Sequence, residues 1–200
     1  MFVETHKIIS DHLMDLAKKD FNLDLKKRCF TWGNIKPDFC KDYIKAKHYF
    51  LESIESVAEK IIELSKIPEA TFRFLENKIN LHLGVIMHYI ADFFCVPHSK
   101  RWLYFNGETI HHIRYEMKLN NTAKKYNEIK KINMPEPKIE NRQTLIHYIN
   151  EISEYYKRKE CYKNDLIYAV NVCYAIIKYI FECIFGKCKK IFVVSKEVMA

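Results

Sequence analysis

The scarcity of turn-forming residues is the feature that most limits what this chain can fold into. Its 200 residues include only four glycines and five prolines. A β-sandwich or barrel needs a turn about every 8–12 residues, so the composition argues against both. Hydrophobic residues make up 48% and charged residues 29% of the chain, which argues against disorder. We therefore predict an all-α fold, a multi-helix bundle in which residues 1–200 form a single domain.

Apolar periodicity locates the predicted helices. We expect helices over about residues 5–19, 40–65, 68–96, 108–120, 142–159 and 163–185. Between them we expect a connector over 20–39 and a surface loop over 121–141, with Thr5 as the N-cap of the first helix. The stretch 81–96 is apolar nearly all round, which is typical of a central buried helix.

The stretch from Leu166 to Gly186 is apolar enough to mimic a membrane span. However, Asn171, Lys178 and Glu182 fall on one side of a helix at spacings of seven and four residues. We therefore interpret it as an amphipathic core helix.

Charge and cysteine content limit the partners and the compartment. The net charge of +8 permits an anionic partner, such as a membrane surface, a phosphate ester or a nucleic acid. No sequence-specific nucleic-acid binding is expected, because the chain has no pattern of a known recognition module. The seven cysteines form no CxxC motif and indicate free thiols in a reducing compartment. Since residues 1–6 show no signal-peptide pattern, we predict a cytoplasmic protein.

Histidine and carboxylate pairs are the chemically informative feature. His88 and Asp92 lie four residues apart in the predicted central helix, so they share one face. An ionised aspartate there is costly unless it is paired with that histidine or bound to a metal. Downstream, His98 follows Pro97, and His112 and Glu116 repeat the four-residue spacing. Nitrogen and oxygen donors in this mixture are ligands that zinc prefers.

Residues upstream extend the candidate set. Two further histidines fall on the core-facing sides of their predicted helices, and one more acid follows Pro37. The candidate ligands are then His6, Asp38, His48, His88, Asp92, His98, His112 and Glu116. Eight donors are enough for two or three metal ions. We interpret the other histidines as surface or core-edge residues and Cys95 as a small core filler.

The order of these motifs resembles a known family. The run His88-Tyr89-Ile90-Ala91-Asp92, continued by Pro97-His98, is similar to the core motif of the zinc-dependent phospholipase C family, whose fold is shared with single-strand-specific zinc nucleases. The GxxxPD run of residues 33–38 and the HxxxE run of residues 112–116 are also similar to that family. The resemblance covers residues 5 to about 117.

The resemblance implies three zinc sites. One zinc would be held by Asp38, His48, His88 and Asp92. A second would be held by His98, His112 and Glu116. A third would be held by His6, a bridging Asp92 and the N-terminal amine and carbonyl of Met1, where the family has a tryptophan.

The resemblance also implies the chemistry. A zinc-bound hydroxide would attack the phosphorus of a phospholipid or another phosphodiester, with Asp38 as candidate general base. Trp102, Tyr104 and Phe105 could make a transient contact with a membrane surface, or belong to the core. Two alternatives stay open: a nuclease-like zinc phosphodiesterase, and a non-catalytic zinc-stabilised helical module that binds a partner or membrane.

Overall fold

The structure, a computed structural model, describes residues 1–40, 49–99, 109–126, 129–158 and 160–186. Within these ranges the chain forms nine α-helices and no strand, which confirms the all-α prediction. The helices are α1 (Val3–Phe21), α2 (Lys27–Ile35), α3 (Phe50–Ser65), α4 (Glu69–Phe74), α5 (Glu76–Phe93), α6 (Val96–Ser99), α7 (Thr109–Ala123), α8 (Arg142–Lys157) and α9 (Tyr162–Ile184). A 3₁₀ turn, Lys36–Asp38, follows α2 directly.

Helix α5 is the central element. All residues from Leu83 to Phe93 are buried, and the helix packs against α1, α2, α3 and α9. A helix surrounded in this way needs apolar side chains on every face, as the sequence predicted for this stretch. His88 and Asp92 are therefore held inside the protein on a rigid support.

Two glycines allow α2 to cross α5 at very short range. A Cβ atom added at Gly33 would lie 2.1 Å from the Leu81 carbonyl oxygen, and one added at Gly84 would lie 2.2 Å from the Phe30 carbonyl oxygen. No side chain larger than hydrogen fits at either position. The crossing brings the end of α2 and the 3₁₀ turn beside His88, which is where the candidate site forms.

The prediction of a connector over residues 20–39 was wrong. These residues contain α2 and the 3₁₀ turn. Glycine lowers helix propensity by about 1 kcal/mol relative to alanine, and Gly33 is one reason the stretch resembles a turn. Packing against α5 outweighs that weak local preference, which is a tertiary effect.

Two of the predicted helices also differ from the structure in where they begin or break. The helix expected over 68–96 is interrupted at Leu75 and again at Phe94, where ψ is 24° and 33° respectively. Thr5 is not an N-cap, because α1 begins at Val3. Thr5 is instead buried, and its hydroxyl donates to Asn120 Oδ1 at 3.1 Å. Of the helix expected over 40–65, residues 41–48 lie outside the described residues.

Helix α9 is the helix that the sequence marked as resembling a membrane span. Among the described residues, it is long and apolar enough to cross a membrane by length and composition. However, 56% of its most apolar 18-residue window is buried inside the protein, against α1, α3, α5 and α7. The buried Asn171 donates to the carbonyls of Lys130 and Ile167. These contacts are those of a core helix.

Candidate metal centre

The structure brings most of the predicted ligands to one buried place. Seven of the eight side chains gather there, from α1, the 3₁₀ turn, α5, α6 and α7: His6, Asp38, His88, Asp92, His98, His112 and Glu116. His48, the eighth, lies outside the described residues, as do Trp102, Tyr104 and Phe105. Residues up to 110 positions apart in sequence therefore meet in one cluster.

Asp92 lies at the centre of the cluster. Its Oδ1 is 3.3 Å from His6 Nε2, and its Oδ2 is 3.5 Å from His88 Nε2 and 3.8 Å from His98 Nδ1. A fully buried carboxylate between three imidazoles is placed to bridge two metal ions. The bridging role that the resemblance implied for Asp92 stays a prediction.

His88 is oriented by the backbone of α2. Its Nδ1 donates to the carbonyl oxygen of Asn34 at 2.8 Å, and since a carbonyl only accepts, Nδ1 carries the proton. Its Nε2 faces Asp92 and also Asp38, whose Oδ1 is 3.7 Å away. Metal-binding histidines are commonly held by such a second hydrogen bond.

His6 has buried polar atoms that a metal would satisfy. Its ring stacks on that of His88 with centroids 4.1 Å apart. Both of its nitrogens are buried, and neither makes a hydrogen bond within the described part of the chain. An imidazole buried in this state is costly unless another ligand is present.

A second group of donors forms where α6 faces α7. Glu116 Oε1 lies 2.9 Å from His112 Nε2 and 3.0 Å from His98 Nε2. The two histidine rings are nearly perpendicular, with centroids 5.1 Å apart. All three side chains are buried, so both nitrogens converge on one carboxylate oxygen away from bulk water.

The amine of Met1 lies between the two groups. It is 2.7 Å from Asp92 Oδ1, 3.1 Å from His98 Nε2 and 3.2 Å from Glu116 Oε1. Burial alone lowers the pKa of this amine, but the carboxylates of Asp92 and Glu116 outweigh burial and hold the pKa well above its usual range. The cation therefore balances two buried carboxylates.

Electrostatics keep His98 and Glu116 in forms that bind metals. Burial lowers the pKa of His98, although Asp92 opposes the shift, so its ring is neutral at physiological pH. Burial alone raises the pKa of Glu116, but the Met1 amine, His112 and His98 together hold it far below its usual range. Neutral imidazoles and an ionised carboxylate are the protonation states that zinc requires.

The spacing of the donors fits zinc. Ligand atoms about 2.0–2.1 Å from a tetrahedral zinc lie roughly 3.3 Å from one another. The pairs of side-chain donors described above are separated by 2.9–3.8 Å. In addition, the ligand atoms of His6, Asp38 and His88 all lie within 4.8 Å of one another. Both the distances and the donor types therefore match.

Asp165 supports the second group from α9, and sequence reasoning missed it. Its carboxylate accepts hydrogen bonds from Tyr115 and Tyr156, both at 2.9 Å, and from the backbone N–H of Val96 at 3.4 Å. Val96 begins α6 and Tyr115 precedes Glu116, so this contact links α9 to both ligand-bearing helices. An acid at the start of an apolar helical run was the available signal.

Cys95 is a core residue that also lies beside the candidate metal centre. Its sulfur, a His98 nitrogen and a Glu116 oxygen all lie within 4.8 Å of one another, and the side chain is fully buried. Cys95 belongs to the hydrophobic core, as predicted, but it also borders the charged cluster. Its position three residues before His98 was the signal. By contrast, His82, His111 and His147 are exposed and His12 is half-buried, as expected.

Comparison with known families agrees with the geometry. The profile of the family described as zinc dependent phospholipase C matches residues 5–170, which is well over half of the chain. The chain belongs to the zinc-dependent phospholipase C family. The comparisons with curated proteins and with solved structures found no match.

The family assignment confirms the resemblance first indicated by His88, Asp92 and His98. The matched region contains all eight candidate ligand side chains, from His6 to Glu116, whereas Met1 precedes it. Zinc dependence is a property of the zinc-dependent phospholipase C family, and the two donor groups of this member are compatible with it.

Proposed function

We propose that this member of the zinc-dependent phospholipase C family hydrolyses phosphodiesters, with a phospholipid as the expected substrate class. The observation that carries the proposal is the pair of buried donor groups joined by Asp92. His6, Asp38, His88 and Asp92, with His48, would hold metal on one side. His98, His112 and Glu116 would hold it on the other, with the Met1 amine between them. When bound, two or three zinc ions neutralise phosphate charge and acidify a water.

Asp38 is the proposed general base. Its side chain is 25% exposed, whereas His88 and Asp92 beside it are fully buried. Substrate and water therefore reach the centre from the Asp38 side. An ionised Asp38 can accept a proton from the attacking water while the buried donors remain in place.

The surface beside Asp38 supports an amphipathic substrate. Trp32 and Phe39 stack with ring centroids 6.4 Å apart and are 45% and 58% exposed. Exposed aromatic rings next to a site, on a chain with net charge +8, fit transient contact with an anionic membrane surface. Stacked aromatic rings also bind unpaired bases, so single-stranded DNA is the alternative substrate to test.

Metal analysis combined with two substrate assays tests the proposal. The purified chain is expected to contain two or three zinc ions and to release a phosphorylated head group from a phosphocholine ester. Turnover of single-stranded DNA instead would favour the nuclease-like alternative. Bound zinc with no turnover of either diester would refute the proposal and favour a zinc-stabilised binding module.

A further inference from the structure

The position of Cys95 is fixed on both sides by residues of the candidate metal centre. Its N–H donates to the Asp92 carbonyl at 3.0 Å, and its own carbonyl accepts from the N–H groups of His98 and Ser99 at 2.9 and 2.8 Å. Cys95 therefore lies in the turn that connects the two parts of the centre. Its side chain is held against the cluster by the same turn that positions His98.

The surroundings of Cys95 differ from those of the other fully buried cysteine among the described residues. Cys173, in α9, places its sulfur 3.5 Å from the Met87 carbonyl oxygen and is part of the hydrophobic core. The sulfur of Cys95 instead lies within 4.8 Å of donor atoms of both His98 and Glu116. Because the two cysteines are equally buried but have different neighbours, Cys173 is a matched control for the substitution of Cys95.

We propose that Cys95 is a thiolate ligand of the second metal ion. Together with His98, His112 and Glu116 it provides one sulfur, two nitrogen and one oxygen donors. Sulfur and nitrogen ligands of a tetrahedral zinc lie about 3.6 Å apart, so a metal would draw the donor atoms of Cys95, His98 and Glu116 at most about 1 Å closer. Binding forms one metal–sulfur bond, and the thiol proton leaves to the buffer.

The donor count has a consequence for the proposed function, on which this inference rests. Four protein ligands complete the coordination of a tetrahedral zinc, whereas catalytic sites keep one position open. The second site would then be structural, holding α6 against α7. Activation of water would fall to the first donor group, in which Asp38 is partly exposed.

Cobalt substitution tests the sulfur ligand by a readout independent of activity. Cobalt(II) bound to a thiolate absorbs in the near ultraviolet through sulfur-to-metal charge transfer, whereas nitrogen and oxygen ligands give no such band. The unaltered chain loaded with cobalt is expected to show the band. Cys95→Ala is expected to lose it and Cys173→Ala to retain it. A band that is absent in the unaltered chain, or that persists in Cys95→Ala, would overturn the proposal.

X-ray absorption of the zinc-loaded, unaltered chain covers the case in which Cys95→Ala does not fold. A zinc–sulfur distance of about 2.3 Å is expected, and a shell of nitrogen and oxygen alone would refute sulfur ligation. The two proposals fail separately. Two or more zinc ions and diester turnover without sulfur ligation would leave the function standing. Sulfur ligation without turnover would support Cys95 as a ligand and refute the proposed function.

Discussion

The substitution Gly84→Ala tests how the fold builds the candidate site. In an unobstructed helix this change stabilises by roughly 0.5–1 kcal/mol, because alanine has the higher helix propensity. At the crossing of α2 and α5, the new Cβ would lie 2.2 Å from the Phe30 carbonyl oxygen and 2.8 Å from the Asn34 nitrogen. Both are backbone atoms, so no side-chain rotation relieves the clash. We therefore expect destabilisation, opposite in sign to the propensity effect.

The size of the effect follows from two costs. An ordinary contact of about 3.4 Å requires α2 to retreat by about 1 Å, and overpacking of this kind costs roughly 1–3 kcal/mol. The same shift stretches the 2.8 Å hydrogen bond from His88 to the Asn34 carbonyl, and a buried group left unpaired costs roughly 1–3 kcal/mol. After the propensity gain is subtracted, the free energy of unfolding should fall by roughly 3 kcal/mol. For a chain of this size that lowers Tm by about 6–12 °C.

Urea unfolding followed by circular dichroism measures this change, with and without a chelator so that metal binding is separated from packing. Zinc per chain is expected to fall as well, because the second hydrogen bond of His88 is lost. Gly33→Ala provides a reciprocal check, since its Cβ would lie 2.1 Å from the Leu81 carbonyl oxygen. If Gly84→Ala is as stable as the unaltered chain and binds as much zinc, then the crossing does not position His88.

Three further predictions concern the site and the acid behind it. Asp38→Asn should reduce diester turnover roughly 100-fold or more while retaining the fold, whereas the surface change Asp24→Asn should leave turnover unchanged. Full activity of Asp38→Asn would exclude Asp38 as the base. His112→Ala should reduce the stabilisation by zinc, which is roughly 2.7 kcal/mol per site at 100 times Kd. The control is His111→Ala at the exposed neighbouring residue, and equal zinc-induced thermal shifts in the two variants would contradict a ligand role for His112. Burial raises the pKa of Asp165 to about 7, so the native state holds that proton more tightly than the unfolded chain and its contribution to stability declines as pH rises from about 4 to about 7. Between pH 5 and pH 8, the free energy of unfolding measured in urea should therefore fall more in the unaltered chain than in Asp165→Asn. Parallel pH profiles of the two proteins would be inconsistent with the raised pKa.

Much of the fold could be predicted because helical periodicity is a local property. The central helix and the spacing of His88 and Asp92 depend only on residues within a few turns of one another. Helix α2 could not be predicted in the same way. Its glycine weakens the local signal, and the contacts that stabilise it lie on α5, about 50 residues later in sequence.

The candidate site, too, was predictable only in the part that depends on residue type and spacing. Residue types and their spacing identified the donors from His6 to Glu116, because zinc requires particular donor atoms wherever they come from. Spacing alone did not distinguish Cys95 or Asp165 from ordinary core residues, because what distinguishes each is the group it faces. Their neighbours lie on other helices or around a turn.

By itself, the sequence determined the helical class, the buried central helix and the set of candidate donor side chains. These follow from composition and short-range periodicity, which do not depend on how helices pack. Only the tertiary structure decided which donors face one another, that Asp92 joins both groups, and that the Met1 amine lies between them. Those relations depend on the close crossing of α2 and α5 at Gly33 and Gly84, where the two backbones are in contact. Local sequence preferences do not specify which helices cross.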